Sequence, residues 1–490
     1  MRTPRTKRGR CASPEILSVR LAPHVVLEAN PSGELVTRFQ SHSFSLGKFS
    51  ARIADRAQKL HSGLQFSSFA SGRDKEFHLL IRRLAGHGLT EYHLGHPRNG
   101  EDLVVIEPQV SDYWPRTITI RDTDVLVLSR FAYMRRRGNE MVLESPRAGA
   151  LFKICNPKIA TALAIFSRPQ QIRRLPRQDP FPWTKLLALL VDCEILFKLK
   201  TPNDSGLRLT EGDDNLVLWD FHDLLFHTRS TEGRHANPLG GLYSYARAIS
   251  SPPAVRPSWP GKKIALSKFS AEQSEIISPF ARLLRQRHST RNFDDQRPIT
   301  LEELSLFLDG TARILSEGTS KLGFGDNGPS ITYASRPYPS AGACYELELY
   351  IAVDKCEDLA RGFYHYEASE HALVPIEARS SQLEAMLMRA AFAMGAPAVP
   401  QILITVAARF ARVSWKYSAI AYELILKDVG ALMQTFYLTA TDMGLGGCAI
   451  GIVNIDLFAK MTGIEFHVEG PVGQFAIGRG IISETGPPLL

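Results

Sequence analysis

The sequence predicts an α+β protein in two halves, and three observations carry that prediction. A hairpin-plus-helix pattern occurs twice between residues 16 and 215, helical and strand periods alternate from about residue 276 onward, and the stretch between them keeps neither period. At 490 residues the chain exceeds one ordinary domain, for which about 100 to 200 residues is usual. The expected divisions are a basic tail over 1–15, a winged-helix-like module over 16–110, a second over 111–215, a connecting region over 216–275, and a domain over 276–490 in which a mixed sheet is flanked by helices around a long central helix.

Taken in order, VRLAPHVVLEANPSGELVTRF reads as strand, turn at Asn30 to Gly33, strand. VLVLSRFAYMRRRGNEMVLES repeats the pattern with its turn at Gly138 and Asn139. Each copy closes on an amphipathic helix that runs into a strand, FHLLIRRLAGHGLTEYHL in the first and WTKLLALLVDCEILFKL in the second. From Thr201 to about Pro260 the breakers NDSG, EGDD, NPLGG and SPPAVRPSWP mark connecting structure. Within it WDFHDLLFHTRSTEGRHANP is rich in aromatics and histidines, so part of it is expected to pack on a neighbour.

In the second half Thr300 and Glu303 form a capping-box pattern ahead of a helix that places Leu301, Leu304 and Leu308 on one face. ELELYIAV alternates, with Leu347, Leu349, Ile351 and Val353 pointing one way, and QILITVAA reads as a strand buried on both faces. AIAYELILKDVGALMQTFYLTATDM is a long helix, apolar nearly all round and hence central, and GLGG ends it. QFAIGRG supplies a final strand.

Composition excludes several classes. The six cysteines, at 11, 155, 193, 344, 356 and 448, form no CxxC pair, which argues against a zinc ribbon, a redox dithiol or a disulfide framework. His222, His227 and His235 match no ligand spacing, so no metal is expected. The longest apolar candidate, LLALLVDCEILF, contains Asp192 and Glu194, and MRTPRTKRGR is followed by no signal-peptide core, so the expectation is a soluble, cytoplasmic protein without a membrane partner. Charge is uneven: residues 1–260 hold 37 Lys and Arg against 25 Asp and Glu, a net +12, whereas residues 261–490 hold 21 against 25, a net −4. The first half is expected to meet something acidic, peptide or nucleic acid. Neither module carries an Arg-rich, Ser/Thr-capped recognition helix, which argues against nucleic acid.

The stretch RQRHSTRNF, Arg285 to Phe293, packs cations and hydroxyls into nine positions. Because Phe280, Leu283 and Leu284 precede it at helical spacing, Arg285, Arg287 and Arg291 could be the solvated end of a helix. Arg287, His288, Ser289 and Arg291 also compose an oxyanion cradle, since guanidinium forks and short hydroxyls suit a phosphate. Three later segments extend that reading. Pro339, Ser340, Ala341 and Gly342 open a PSAGA turn whose small residues let backbone approach a ligand closely. Gly444, Gly446 and Gly447 in GLGG can aim backbone N–H groups at an anion, and Arg479 in GRG adds a cation.

Together, in this order, the four segments resemble the FMN-binding set of the nitroreductase superfamily over roughly residues 276–490. The resemblance implies that Arg287, His288, Ser289 and Arg291 contact the FMN phosphate and ribityl chain. It places Pro339, Ser340, Ala341 and Gly342 against the ring, and Gly444, Gly446, Gly447 and Arg479 around the phosphate end. RVSWKYSAIAYE, GFYHYEASEHAL and RPYPSAGACYELELYI narrow the likeness to SagB-type dehydrogenases, the azoline oxidases of ribosomally made peptides, whose catalytic Lys-Tyr pair falls here at Lys416 and Tyr417. The implied activity is FMN-dependent oxidation of thiazolines or oxazolines to thiazoles or oxazoles. The implied partners are a modified precursor peptide, a cyclodehydratase and a second copy of the chain, and the N-terminal modules resemble leader-peptide grips.

The chemistry fits these residue types. Aromatising an azoline removes two electrons and two protons, so it needs an acceptor and a positioned base for a weak carbon acid. Lys416 can be that base if burial or a neighbouring cation lowers its pKa, with Tyr417 as relay or donor. Two other functions share the fold or the charge: an NAD(P)H-dependent reductase of nitro or quinone compounds, and a flavin-sensing regulator bound to nucleic acid. The Lys-Tyr pair and the N-terminal extension speak against the first, the absent recognition helix against the second.

Overall fold

The computed structural model describes residues 16–481 except 31–32, 40–41, 68–73, 117, 175–180, 200–212, 236–239, 242, 244–245, 257, 259, 267–277 and 323–327. The expected basic tail, NDSG and most of NPLGG lie outside the described residues. The chain forms two compact units, one of residues up to 217 with 224–229 and 233–237, the other of 218–223, 230–232 and 238 onward. Among the described residues no helix is long and apolar enough to cross a membrane, and the five described cysteines are free thiols.

The first unit carries the expected repeat as topology. Leu17–Leu21 lies between Leu64–Gln65 and Thr90–Gly95, and Val125–Leu128 lies in the same way between Gln170–Gln171 and Leu196–Leu199. Each copy also contains a three-stranded meander, Val25–Ala29, Glu34–Phe39 and His42–Lys48 in one, Tyr133–Arg137, Glu140–Glu144 and Ala150–Ile154 in the other. The closing helices are Lys75–Gly86 and Trp183–Asp192, whose Leu80, Ile81, Leu84, Leu186, Leu187 and Leu190 are buried in one core. The copies are not separate at residue 110, however. Asp102–Pro108 pairs with Thr90–Gly95 on one side and Ala150–Ile154 on the other, so that the first copy's small sheet and the second copy's meander share seven antiparallel strands. An edge strand with free N–H and C=O groups must be paired or covered, and this linking strand satisfies both copies at once.

The second unit is built on a six-stranded sheet in the order Ala372–Ile376, Gly362–Glu367, Leu347–Val353, Ile402–Arg409, Glu469–Gly478, Gly446–Ile450. Every neighbouring pair is antiparallel, which corrects the expectation of a mixed sheet. The reason lies in the last strand. Ile402–Arg409 and Gly446–Ile450, joined through the long helix Ala421–Asp442, do run the same way, but Glu469–Gly478 inserts between them and opposes both. The hairpin strands Gly362–Glu367 and Ala372–Ile376 add two further reversals that the helix-strand alternation conceals.

The apolar alternation read from the sequence sets the faces. Leu347, Leu349, Ile351 and Val353 are at most 1% exposed, and Ile402 to Ala408 are all buried, as a strand covered on both sides requires. One face packs Tyr350, Phe363, Leu403 and Ala476 against Leu387 and Phe458. On the other, Phe475 lies 5.2 Å from Phe436 of the long helix and 6.5 Å from Phe307 of the helix Leu301–Ala312. The aromatic-rich connecting stretch does pack on a neighbour within this unit: the Trp219 ring lies 4.5 Å from that of Phe410, tilted by 49°, and its indole N–H donates to the His467 carbonyl at 2.8 Å.

The capping box is present in full, with the Glu303 amide donating to Thr300 Oγ1 at 3.1 Å and the Thr300 amide donating to Glu303 Oε2 at 3.0 Å. The same carboxylate receives Arg479 at 2.7 Å on both oxygens. Partial burial pushes the Glu303 carboxyl up, but the Thr300 amide and Arg479 outweigh it and hold the group below its ordinary range. A depressed folded pKa gives stability above the unfolded value that is lost as pH falls through the folded one. Thr300→Ala is expected to lower unfolding free energy by about 1 kcal/mol. Glu303→Ala should cost more, because it also strips Arg479 of its partner. Urea unfolding across the acid range checks both: the excess cost of Glu303→Ala over Thr300→Ala should shrink as pH falls.

Candidate cofactor and catalytic site

Two clusters of expected site residues hang from the long helix Ala421–Asp442, one on Asp428 and one on Tyr437. Nine residues separate these anchors, about 13 Å of helix axis at 1.5 Å per residue.

The first cluster is the PSAGA turn. Asp428 is 6% exposed, and its carboxylate accepts the Ala341 amide at 2.9 and 3.1 Å and the Ser340 hydroxyl at 2.9 Å. Ser340 Oγ in turn accepts the Tyr345 amide at 2.9 Å, which closes the turn on itself. The far end is fastened by Arg412, whose Nε donates to the Cys344 carbonyl at 2.9 Å. Gly342 takes φ +57°, a left-handed conformation that favours glycine. A Cβ at this position would lie 2.3 Å from the Tyr417 hydroxyl and 2.4 Å from Lys416 Nζ. Glycine here is what lets the Lys-Tyr pair close on the turn, and Lys416 Nζ donates to the Gly342 carbonyl at 2.9 Å.

Lys416 and Tyr417 do not start the long helix, as the sequence suggested. They occupy the bend after the short helix Phe410–Ser414, five and four residues before Ala421. Lys416 is exposed, with Nζ 5.3 Å from the Tyr417 ring centroid, and Tyr417 is half-buried. The burial that the sequence argument asked of Lys416 is therefore absent from the protein alone.

The second cluster is the cation-rich stretch. Arg287 ends the helix Pro279–Gln286, whose start is capped by Ser278, so the helix-end reading holds for this segment. Beyond it the chain docks on the sheet edge: the Thr290 amide donates to the Gly447 carbonyl at 2.8 Å, and the Asp294 amide donates to the Arg479 carbonyl at 2.8 Å. Gly446 permits this approach, because a Cβ there would sit 2.6 Å from the Thr290 methyl. Gly444 forms the turn that ends the long helix.

Tyr437 organises the cradle. Its hydroxyl bonds Ser289 Oγ at 2.8 Å and accepts the Ala449 amide at 2.9 Å, while the Arg287 guanidinium lies over its ring at 5.1 Å. His288 turns back instead, its Nδ1 3.0 Å from the Gln286 carbonyl. Arg291 lies near Cys448, where burial pushes the thiol's pKa up and Arg291 partly offsets it. Arg287 and Arg291 have no carboxylate partner among the described residues, so two cations flank Ser289 without compensation. That donor set fits a phosphate, and an FMN phosphate would be held by Arg287, Ser289 and Arg291. Arg479 differs: its side chain is committed to Glu303, leaving it a structural role beside the cradle rather than inside it.

Four contributors escaped the sequence reading: Asp428, Tyr437, Glu346 and Gln401. Gln401, 1% exposed, accepts the Ile299 and Arg479 amides at 3.0 and 2.9 Å and donates to the Asp294 carbonyl at 2.7 Å, pinning the cradle's end to the last strand. Glu346 is fully buried under the turn, 3.3 Å from Ser340 Oγ, and burial first, Asp428 second among the raising effects, push its carboxyl up to about 7. A polar residue inside an otherwise apolar stretch, as in ACYELELY and LILKDVGAL, was the available signal for Glu346 and Asp428.

The nitroreductase family profile matches residues 284–479, and a profile described as cyanobactin oxidase ThcOx matches residues 126–236. A protein of Methanocaldococcus jannaschii that bears the name nitroreductase is 30% identical over 201 residues, 41% of this chain and 90% of that protein. Among solved structures, one in an Escherichia coli microcin synthetase McbBCD complex with truncated pro-MccB17 bound is 19% identical, with TM-score 0.39, over 58% of this chain and 100% of that one. Another, a nitroreductase-named protein of Desulfovibrio desulfuricans in complex with FMN, is 15% identical, with TM-score 0.27, over 44% of this chain and 94% of that one. With 30% identity across nine-tenths of a nitroreductase-named relative, and the family profile covering the cradle, the turn and the Lys-Tyr pair, the chain belongs to the nitroreductase family of oxidoreductases.

Proposed function

We propose that the protein oxidises thiazoline or oxazoline rings in a ribosomally made, modified peptide to the aromatic azoles, with FMN as its cofactor. The observation that carries this reading is the closure of Lys416 and Tyr417 on Gly342, with Nζ 2.9 Å from the Gly342 carbonyl. That arrangement puts an amine and a phenol at the turn that, by resemblance, faces the flavin ring. The ThcOx profile match over 126–236 supports the same branch from the other unit.

FMN, when bound, would supply the acceptor for the two electrons and one of the two protons removed from the azoline, the other proton going to the base. The chain's own residues handle position and protons. Arg287, Ser289 and Arg291 hold the phosphate, and Ser340 to Gly342 present backbone toward the ring. Lys416 takes the proton from the ring carbon beside the imine, with Tyr417 as hydrogen-bond partner. Lys416 is exposed in the protein alone, so the substrate itself completes the site: an azoline laid over Gly342 excludes water from Nζ, and desolvation favours the neutral amine that a base requires. A reductase of nitro compounds fed by NAD(P)H is the second reading, favoured by the name of the Methanocaldococcus relative. Consumption of NADH with a nitroarene, without azoline turnover, would select it.

The basic first half, net +12 over residues 1–260, is assigned to an acidic leader peptide of the precursor, delivered after a cyclodehydratase has closed the rings. Part of that charge is internally used, since Arg135 bonds Glu144 at 2.7 Å and Arg137 bonds Glu107 at 2.7 Å, while Arg136 between them is exposed. A homodimer that covers the exposed side of the long helix and a cytoplasmic location complete the proposal.

Three outcomes are expected. Purified protein should release FMN on denaturation; Arg287→Ala should bleach it by removing a charge-assisted phosphate contact, whereas Tyr437→Phe, which keeps the ring under Arg287, should weaken FMN binding less. Flavin titration by fluorescence quenching ranks the two. Lys416→Ala and Tyr417→Phe should keep FMN yet slow azoline oxidation by about 100-fold to 10,000-fold, the range for losing a positioned acid or base, as read by mass loss of the peptide product. Finally, raising salt should increase KM for full-length precursor and leave that for a leader-free substrate nearly unchanged; equal salt response of the two would remove the leader-binding role.

A further inference from the structure

The buried carboxyl beneath the PSAGA turn has a task that the Lys-Tyr pair alone does not explain. Ser340 Oγ lies within hydrogen-bonding distance of three groups: Asp428 Oδ2 at 2.9 Å, the Tyr345 amide at 2.9 Å and Glu346 Oε2 at 3.3 Å. A serine hydroxyl has one hydrogen to give and two lone pairs. The amide takes one lone pair, and the shorter contact, to Asp428, takes the hydrogen. The third contact is then satisfied only if Glu346 is the donor, which requires a proton on its carboxyl. The remaining oxygen, Glu346 Oε1, is buried and has no hydrogen-bond partner among the described residues, a position far less costly for a neutral carboxyl than for a carboxylate. Asp428 is placed in the opposite way, with both oxygens accepting the Ala341 amide and one accepting Ser340.

We propose that Glu346 is a positioning residue that works in its protonated form: it donates its carboxyl hydrogen to Ser340 Oγ, Ser340 donates to Asp428, and Asp428 thereby holds the Ala341 amide and presents the Gly342 carbonyl to Lys416. No atom leaves the chain of donors in this state. Losing the proton from Glu346 sets two carboxylates on one hydroxyl, so that Asp428 is pushed from the turn and Gly342 moves relative to Lys416. Among the described residues, the titratable groups that act on Glu346 or feel it are Asp428 from the long helix, Tyr338 from the segment before the turn and Cys344 at the turn's far end, and Arg336 and Glu348 in turn act on Tyr338. The Tyr338 hydroxyl is itself buried without a hydrogen-bond partner among the described residues, and burial pushes its pKa well above the ordinary range, so it adds no charge. Arg336, the cation that acts on Tyr338, is already engaged with the Leu347 carbonyl at 3.1 Å and Glu348 at 3.8 Å. Burial and the neighbouring acid place the loss of the Glu346 proton near about pH 7.

The consequence for Lys416 rests on the azoline-oxidation reading; the proton on Glu346 does not, and the test separates them. Infrared spectra of the whole protein below and above about pH 7 should show a protonated-carboxyl C=O band that fades as pH rises and is missing from Glu346→Gln. Turnover of the native protein should fall through the same range. In Glu346→Gln, whose amide donates at every pH, that fall should disappear even though the rate itself is changed. If Glu346→Gln does not fold, carboxyl-labelled glutamate NMR of the native protein and of Ser340→Ala reads the same proton: one resonance titrating near neutrality and displaced in Ser340→Ala supports the proposal. Glutamates that all titrate in the ordinary acid range, or a band that survives in folded Glu346→Gln, overturn it. Azoline oxidation without the band discards the role of Glu346 and keeps the function; the band without azoline oxidation does the reverse.

Discussion

The grip of Asp428 on the PSAGA turn is the constraint on which the rest of the site depends. A carboxylate at 6% exposure is costly unless its oxygens are satisfied, and here the satisfying donors are the Ala341 amide and the Ser340 hydroxyl, both from a loop. The burial of the acid and the order of the turn are thus coupled, because the same hydrogen bonds serve both. The left-handed Gly342 follows from that anchoring, and the approach of Lys416 and Tyr417 follows from Gly342 having no side chain.

The same helix applies a different device at its other anchor. Tyr437 uses a ring and a hydroxyl, the ring beneath Arg287 and the hydroxyl between Ser289 and the Ala449 amide, so one side chain positions a cation, a hydroxyl and a backbone edge. Arg287 and Arg291 have no acidic partner among the described residues, and like charges held near one another without compensation repel. Arg479 marks the boundary of this economy. Once bonded to Glu303 it stabilises a helix start and the sheet end, and it no longer contributes free positive charge.

What the sequence disclosed and what it withheld separate along physical lines. Local patterns were legible: the capping box of Thr300 and Glu303, the alternation in Leu347 to Val353, the apolar run of Ile402 to Ala408 and the long helix all formed where their periods placed them. Motifs of short spacing, RHSTR, PSAGA and GLGG, were legible because small residues and cation clusters are unusual within a few positions. Sheet direction was not, because the strand Glu469–Gly478 enters between Ile402–Arg409 and Gly446–Ile450 from far along the chain, and no local signal announces that insertion. The same holds for Asp102–Pro108, which joins two copies that the repeat pattern presents as separate.

The partners of the site were hidden for a related reason. Asp428 and Tyr437 look like ordinary interruptions of an amphipathic helix, and their meaning appears only when residues 88 and 148 positions away are brought against them. Glu346 is the sharper case. Read along ELELYIAV it is a polar residue in a strand's alternation, which predicts an exposed side chain; in the fold it is fully buried. The alternation fails there because Tyr345, immediately before it, takes φ +45°, a left-handed conformation that turns the chain out of the strand just as it meets the PSAGA turn. Three positive-φ residues within four positions, Gly342 at no steric cost and Ala343 and Tyr345 under strain, redirect Glu346 inward. Strain of this kind persists only where surrounding bonds over-determine it, and the bonds that do so are those of Asp428, Ser340 and Arg412 on the turn itself.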